Sequence, residues 1–317
     1  MTTVSSVLGA LDTANLGFTL MHEHVMLAWA GISQDYPELL GGNLVERAVN
    51  ALKKTKEGGV DTIVDATTLD LGRNINLLAE VSRRSGVNII ATTGWHMTFP
   101  PFRWTGISAD QLAEVFIREI EQGISGTKIK AGILKSASDM TGVTPHAEVI
   151  LRAVARAHLR TGVPIMLHSY SPGQVGRQQL AILKEEGVDL RRVKMDHSND
   201  TLDMEYLEWL LAQGCYLGLD RYPGRNLSSS GRTKIMKALI DAGYADRICP
   251  SHDWSILRLA VTKPELKKDE EERLRLNPHG FLYIKKVVFP QLRNMGVHEE
   301  ALNSLCVKAP RNFFESV

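Results

Sequence analysis

Seven residues carry the chemistry open to this sequence: His22, His24, Lys135, His168, His197, Asp220 and Asp253. Each stands at or near the end of a short apolar run. The chain has 10 histidines, and scatter would not place four of them at run ends beside a lysine and two aspartates. Imidazole nitrogen and carboxylate oxygen together suit a divalent ion, zinc first, with cobalt, manganese and iron as alternatives, and a catalytic site leaves one position open for water. His22 and His24 are two apart on an expected strand, so both face one side and Glu23 the other. With Asp253 they can supply one ion, and His168 with His197 a second. Two cations about 3.5–4 Å apart need an anion between them. An ammonium at Lys135 would be repelled there, whereas carbon dioxide added to the neutral amine gives a carbamate, an anionic bridge with two oxygens. The other reading of Lys135 is a buried salt bridge to Asp253 or Asp220.

The elements that must position these residues alternate along the chain. Apolar runs lie at 17–24, 60–66, 87–92, 129–135, 163–168, 192–197, 216–220 and 248–253. Amphipathic stretches separate them, at 44–57, 74–85, 109–122, 146–161, 174–186, 203–213 and 232–242. Eight such units in order predict a (β/α)8 barrel spanning 1–317 as one domain, with the site at the C-terminal rim where strand ends converge. A doubly wound open sheet is the rival, but no G-x-G-x-x-G follows the first strand.

The composition excludes several other classes. Thirty-seven Lys and Arg against 36 Asp and Glu leave a formal charge of +1 without a basic block, so neither nucleic acid nor an anionic membrane is an expected partner. No apolar stretch is long enough to span a bilayer and the N-terminus lacks a secretory pattern, so the expected location is cytoplasmic. Cys215, Cys249 and Cys306 are far apart and form neither a disulfide framework nor a thiolate zinc motif. No G-x-S-x-G supports a serine hydrolase.

Six ordered motifs, Gly17-Phe-Thr-Leu-Met-His-Glu-His-Val25, Ala131-Gly-Ile-Leu-Lys135, Gly162-Val-Pro-Ile-Met-Leu-His168, His197-Ser-Asn-Asp200, Gly218-Leu-Asp220 and Ser251-His-Asp-Trp254, resemble the phosphotriesterase family of the amidohydrolase superfamily. The resemblance runs from the first strand to Pro310-Arg-Asn-Phe-Phe314. It implies a binuclear metal hydrolase with a carboxylated lysine, and a homodimer. His22, His24 and Asp253 would hold the buried ion, His168 and His197 the more exposed one, and Lys135 would be the bridge. Asp253 would orient the attacking hydroxide and take its proton. The family's lactonase branch suggests Asp200 as its partner in a proton path outward, with Arg221 between the two carboxylates.

At the rim, Trp95, His96, Asp220, Tyr222 and Trp254 are the expected substrate contacts. The aromatic-rich segment 94–104 would line the mouth, 222–231 would form a lid, and 254–269 would complete the pocket. Asp220-Arg221-Tyr222 and Gln34-Asp-Tyr-Pro-Glu38 are similar to the lactonase branch. Trp254 is closer to the phosphotriesterase branch, and His96 stands where the lactonase pattern has Tyr. The expected substrates are lactones or carboxylic esters, with organophosphate triesters as side substrates. The alternatives are a true phosphotriesterase and a catalytically silent metal-binding barrel.

Overall fold

The computed structural model describes residues 2–96, 106–224, 226–259 and 264–315. An antiparallel hairpin, β1 (Thr3–Ser6) and β2 (Gly9–Asp12), precedes β3 (Thr19–Leu27), β4 (Thr62–Asp65), β5 (Asn88–Gly94), β6 (Ile133–Ser138), β7 (Ile165–Ser169), β8 (Val193–Asp196), β9 (Tyr216–Leu219), β10 (Ile248–Pro250) and β11 (Ser255–Arg258). The last nine form one parallel sheet in the order β10-β9-β8-β7-β6-β5-β4-β3-β11. Its two edges, β10 and β11, are halves of a single pass of the chain. Ser251 N donates to Leu219 O at 3.3 Å, Asp253 N to His22 O at 3.2 Å, and His24 N to Trp254 O at 2.8 Å. The final pass thus transfers its hydrogen bonds from β9 to β3, and eight passes close into a ring.

The strands read as near-continuous apolar runs because both of their faces are covered, as a parallel sheet requires. Outside lie helices Leu44–Glu57, Ile75–Ser85, Ala109–Glu121, Pro145–Thr161, Gly176–Glu185, Met204–Ala212 and Ser229–Asp241, which bury their apolar stripes against the strands. Their starts follow local chemistry: Asn74 and Asp203 accept from the third backbone N–H beyond them, and Ser108 forms a reciprocal capping box with Gln111. Inside the ring, Ile133, Met166 and Cys249 share a buried cluster with Val4 and Phe313. They precede Lys135, His168 and Asp253 by even numbers of residues, so an apolar layer lies beneath the polar one.

Three strands differ from the expected runs. β3 continues to Leu27 because β11 pairs with it at His24 and Met26, so both histidines lie within the strand. β6 begins at Ile133, which places Lys135 in its interior. The eighth run breaks after Pro250. Gly94 closes β5 with φ +121, where a Cβ would overlap the Lys135 backbone. Gly94→Ala is therefore expected to destabilise the fold by about 2–6 kcal/mol, from positive-φ strain plus overpacking. An unchanged urea midpoint would refute this.

Candidate metal centre

Four imidazoles are turned inward by partners on their outer sides. His22 Nδ1 lies 3.1 Å from Asp220 Oδ2 and 3.0 Å from Asp196 Oδ2. His24 Nδ1 lies 2.7 Å from Thr67 Oγ1, whose hydroxyl is already donated to Met26 O and so can only accept. His197 Nδ1 lies 2.9 Å from Asp220 Oδ1. His168 faces Asp139 through Nε2 at 3.5 Å. These partners turn Nε2 of His22, His24 and His197 and Nδ1 of His168 inward. The inward nitrogens meet other ligand atoms at close spacing. Asp253 Oδ1 is 3.4 Å from His22 Nε2 and 3.2 Å from His24 Nε2. Two ligands at about 2.0–2.2 Å from one ion stand about 3.0–3.4 Å apart, so His22, His24 and Asp253 fit a cation. His197 Nε2 and His168 Nδ1 approach to 2.8 Å. The two nitrogens are hydrogen-bonded to each other, and burial lowers the basicity of both rings, so once that shared proton is lost they can supply two neutral nitrogens to a second cation.

Backbone strain aims two of these groups. His197 has φ 60 and Asp253 φ 51, both left-handed. Alternation along β8 sends Lys194 and Asp196 inward, and His197 would follow outward; the positive φ turns its ring in. Asp253 lies in the link between β10 and β11, which is anchored from the outer face. Glu23 accepts from His252 N at 3.1 Å and Trp254 N at 3.2 Å, and it lies 2.5 Å from His252 Nδ1. His252 therefore holds the link in place, facing away from the centre.

Lys135 is 1% exposed. Its Nζ donates to Ala66 O at 3.0 Å and lies 3.4 Å from His22 Nε2. Among the described residues no carboxylate pairs with it, so the salt bridge to Asp253 or Asp220 is not formed. Burial lowers its basicity and favours the free amine. The electrostatics of the other groups follow from the same packing. Burial and Lys135 push the His22 imidazole down, but the carboxylates of Asp196, Asp220 and Asp253 outweigh them and raise it to about 9. Burial would raise Asp253, yet His22, His24, His197 and Arg221 hold it well below the usual carboxylate range.

Outward from the centre, Arg221 Nε donates to Asp253 Oδ2 at 3.4 Å and its Nη1 to Asp200 Oδ2 at 2.7 Å. A cavity of about 420 Å³ opens beside them, lined also by Tyr222, Gly224 and Trp254. This volume suits a small ester. Trp254 is partly buried, with the Arg273 guanidinium 3.7 Å above its ring. His96 is also brought to the centre: its ring centroid is 4.8 Å from that of His168, and its N donates to Asp70.

Three of the expected substrate contacts lie deeper than the rim. Asp220 is fully buried with both oxygens on His22 and His197, so it orients those two rings, and Arg221 pairs with Asp200 and Asp253. Tyr222 is 1% exposed and shapes the cavity wall from within the core. Trp95 is 5% exposed and packs in the core as well. Residues 97–105 of the aromatic segment, Arg225 of the lid and residues 260–263 of the pocket stretch lie outside the described residues.

The sequence reading passed over Arg232. It is 1% exposed and its Nη2 sits 2.7 Å from Asp200 Oδ1, so each Asp200 oxygen faces a guanidinium. It also bonds Asn199 O and donates to Leu227 O at 3.3 Å. Its position in the first turn of a helix looks in sequence like any surface arginine. Arg232→Met strands a buried carboxylate and two carbonyls and is expected to cost about 3–5 kcal/mol. A denaturant midpoint equal to the parent's would refute this.

The comparisons with known proteins agree with this geometry. The sequence profile of the phosphotriesterase family matches residues 2–314. A phosphotriesterase homology protein of Mycobacterium tuberculosis is 39% identical, over 99% of this chain and 98% of that protein. An aryldialkylphosphatase of Saccharolobus solfataricus is 35% identical, over 96% and 97%. A solved structure described as the phosphotriesterase from Mycobacterium tuberculosis superposes with a TM-score of 0.92 at 39% identity, covering 99% of this chain and 98% of that one. With the inward-facing imidazoles, the parallel ring and a match over nearly its whole length, the chain belongs to the phosphotriesterase family.

Proposed function

We propose that the chain is a binuclear metal-dependent hydrolase of lactones and carboxylic esters that also turns over organophosphate triesters more slowly. One observation carries this reading: Asp253 directs Oδ1 at His22 and His24 and Oδ2 at Arg221, at the edge of the cavity. His22, His24 and Asp253 would hold one ion and His168 and His197 the other, with Lys135 as a carbamate between them. Bound there, two divalent ions supply a water of lowered pKa and a Lewis acid for the substrate oxygen. Asp253 orients that water and accepts its proton as the new bond forms. Arg221, held by Asp200, fixes the carboxylate while it does so. His96 and Trp254 border the substrate, and the cavity wall of Tyr222 excludes water from its apolar part.

Trp254, which lines the cavity beside Asp253, favours the second reading, a true phosphotriesterase, because that residue is closer to the phosphotriesterase branch. Initial rates decide between them, measured on protein loaded with cobalt or zinc plus bicarbonate. A long-chain lactone is expected to exceed an aryl dialkyl phosphate in kcat/KM by several powers of ten. A phosphate that wins makes the second reading the function, and no turnover of either substrate with two metals bound overturns both. The reading includes a cytoplasmic homodimer, and light scattering that gives a single-chain mass would refute the dimer. No helix among the described residues is long and apolar enough to cross a membrane.

A further inference from the structure

Below His22 the barrel interior holds a group of charges that the proposed reaction leaves unused. Lys194, Asp196 and Asp220 are each 0% exposed. Lys194 Nζ bonds Asp196 Oδ1 and lies 4.0 Å from Asp220 Oδ2. The far oxygen of Asp196 and the near oxygen of Asp220 both reach His22 Nδ1, at 3.0 and 3.1 Å. The His22 Nδ1–H bonds Asp220, as His197 Nδ1 does, and the nearby Asp196 Oδ2 is a buried oxygen without a hydrogen-bond partner among the described residues.

The arrangement is built by the backbone. Lys194 and Asp196 are two apart on β8 and so share the inner face. Gly218 on neighbouring β9 leaves the space for both acids, since a Cβ there would stand 2.5 Å from Asp196 Oδ1 and 2.6 Å from Asp220 Oδ2. Two carboxylates converging in a water-free interior repel each other, and a buried lysine beside them offsets that repulsion. A pair that only filled the barrel would have no reason to direct its free oxygen at a ring nitrogen whose other side faces Asp253.

We propose that Lys194 and Asp196 are positioning residues for His22. Asp196 sets a second carboxylate oxygen beside His22 Nδ1, and Lys194 holds that oxygen in place and clear of Asp220. Together they hold the ring with Nε2 toward Asp253 and Lys135. The inference rests on the reading of His22 as a metal ligand. Removing Lys194 leaves two converging carboxylates without the cation between them, so Asp196 moves off the ring and His22 loses its fixed orientation. Removing Asp196 leaves a bare ammonium beside the ring. Removing both leaves Asp220 as a single arm, as at His197.

The test uses the full-length chain and cobalt(II) ion, with binding followed by chelator competition and by the visible spectrum of the bound ion. Lys194→Met and Asp196→Asn are each expected to weaken cobalt binding by about 10–100-fold and to shift the spectrum. The double variant Lys194→Met/Asp196→Asn is expected to bind at least as well as the better single variant and to regain the parent spectrum, which is strong non-additivity. If Lys194→Met fails to fold, Asp196→Asn against the double variant makes the same comparison. Cobalt affinity within about twofold of the parent in every folded variant, with only melting temperatures lowered, would overturn the inference. A parent protein that binds fewer than two cobalt ions per chain would instead overturn the binuclear reading beneath it.

Discussion

Asp253→Asn is expected to lower kcat on the preferred ester by about a hundred- to ten-thousandfold. The amide nearly matches the carboxylate in shape, so the link between β10 and β11 keeps its Glu23 anchor and the fold survives. The change removes the anionic charge shared among His22, His24 and Arg221, together with the group that takes the proton of the attacking water. KM should move far less, because Asp253 acts on the reacting atoms while Trp254 and the wall behind Tyr222 shape the cavity. Circular dichroism, bound metal by mass spectrometry and steady-state rates measured together check it. An equal loss in metal content and rate would assign Asp253 to holding the ion alone, and an unchanged kcat would remove it from the mechanism.

The second large effect is at Lys135. Protein stripped of metal and reconstituted in buffer freed of carbon dioxide is expected to stay inactive until bicarbonate is added, with reactivation faster at higher bicarbonate. The physical ground is a buried amine bonded to Ala66 O and close to His22 Nε2, its basicity lowered by burial, with no anionic partner among the described residues. Lys135→Met should lose activity by about a hundredfold or more, beyond the usual penalty for an outer-sphere partner of a metal site, and bicarbonate should not restore it. Full activity in carbon-dioxide-free buffer would show that the amine itself suffices.

Much of this architecture is legible from the chain alone, for reasons that differ by residue. His22, His24, His168 and Asp253 stand out because polar groups ending apolar strands in a barrel meet at one rim. The helices are predicted to within about three residues because their starts carry Asn74, Ser108 and Asp203. Asp220 sits deeper than its strand-end position suggests, with its oxygens on His22 and His197, because position along a strand does not reveal what a side chain meets across the barrel. Lys194 and Asp196 are passed over because attention to the last residue of a strand ignores its inner face further down. The inward turn of His197 depends on a positive φ, which histidine adopts more often than most residues but still in a small minority of positions, so the sequence does not signal it. Arg232 owes its burial to a loop folding over it, with Gly224 close against its guanidinium. That contact is tertiary and leaves no local pattern.

The division of the last strand into β10 and β11 sets the order in which a newly made chain can become functional. His22 and His24 leave the ribosome early, yet their backbone partners, Ser251 and Trp254, come more than two hundred residues later, with Ser251 separated from His22 by 229 positions. Until that segment emerges, β3 and β9 are open edges, prone to pairing with other chains. The exposed histidines meanwhile lack the one carboxylate that completes their set. On the proposed reading, metal acquisition would follow synthesis, and a filled centre would certify that the ring has closed.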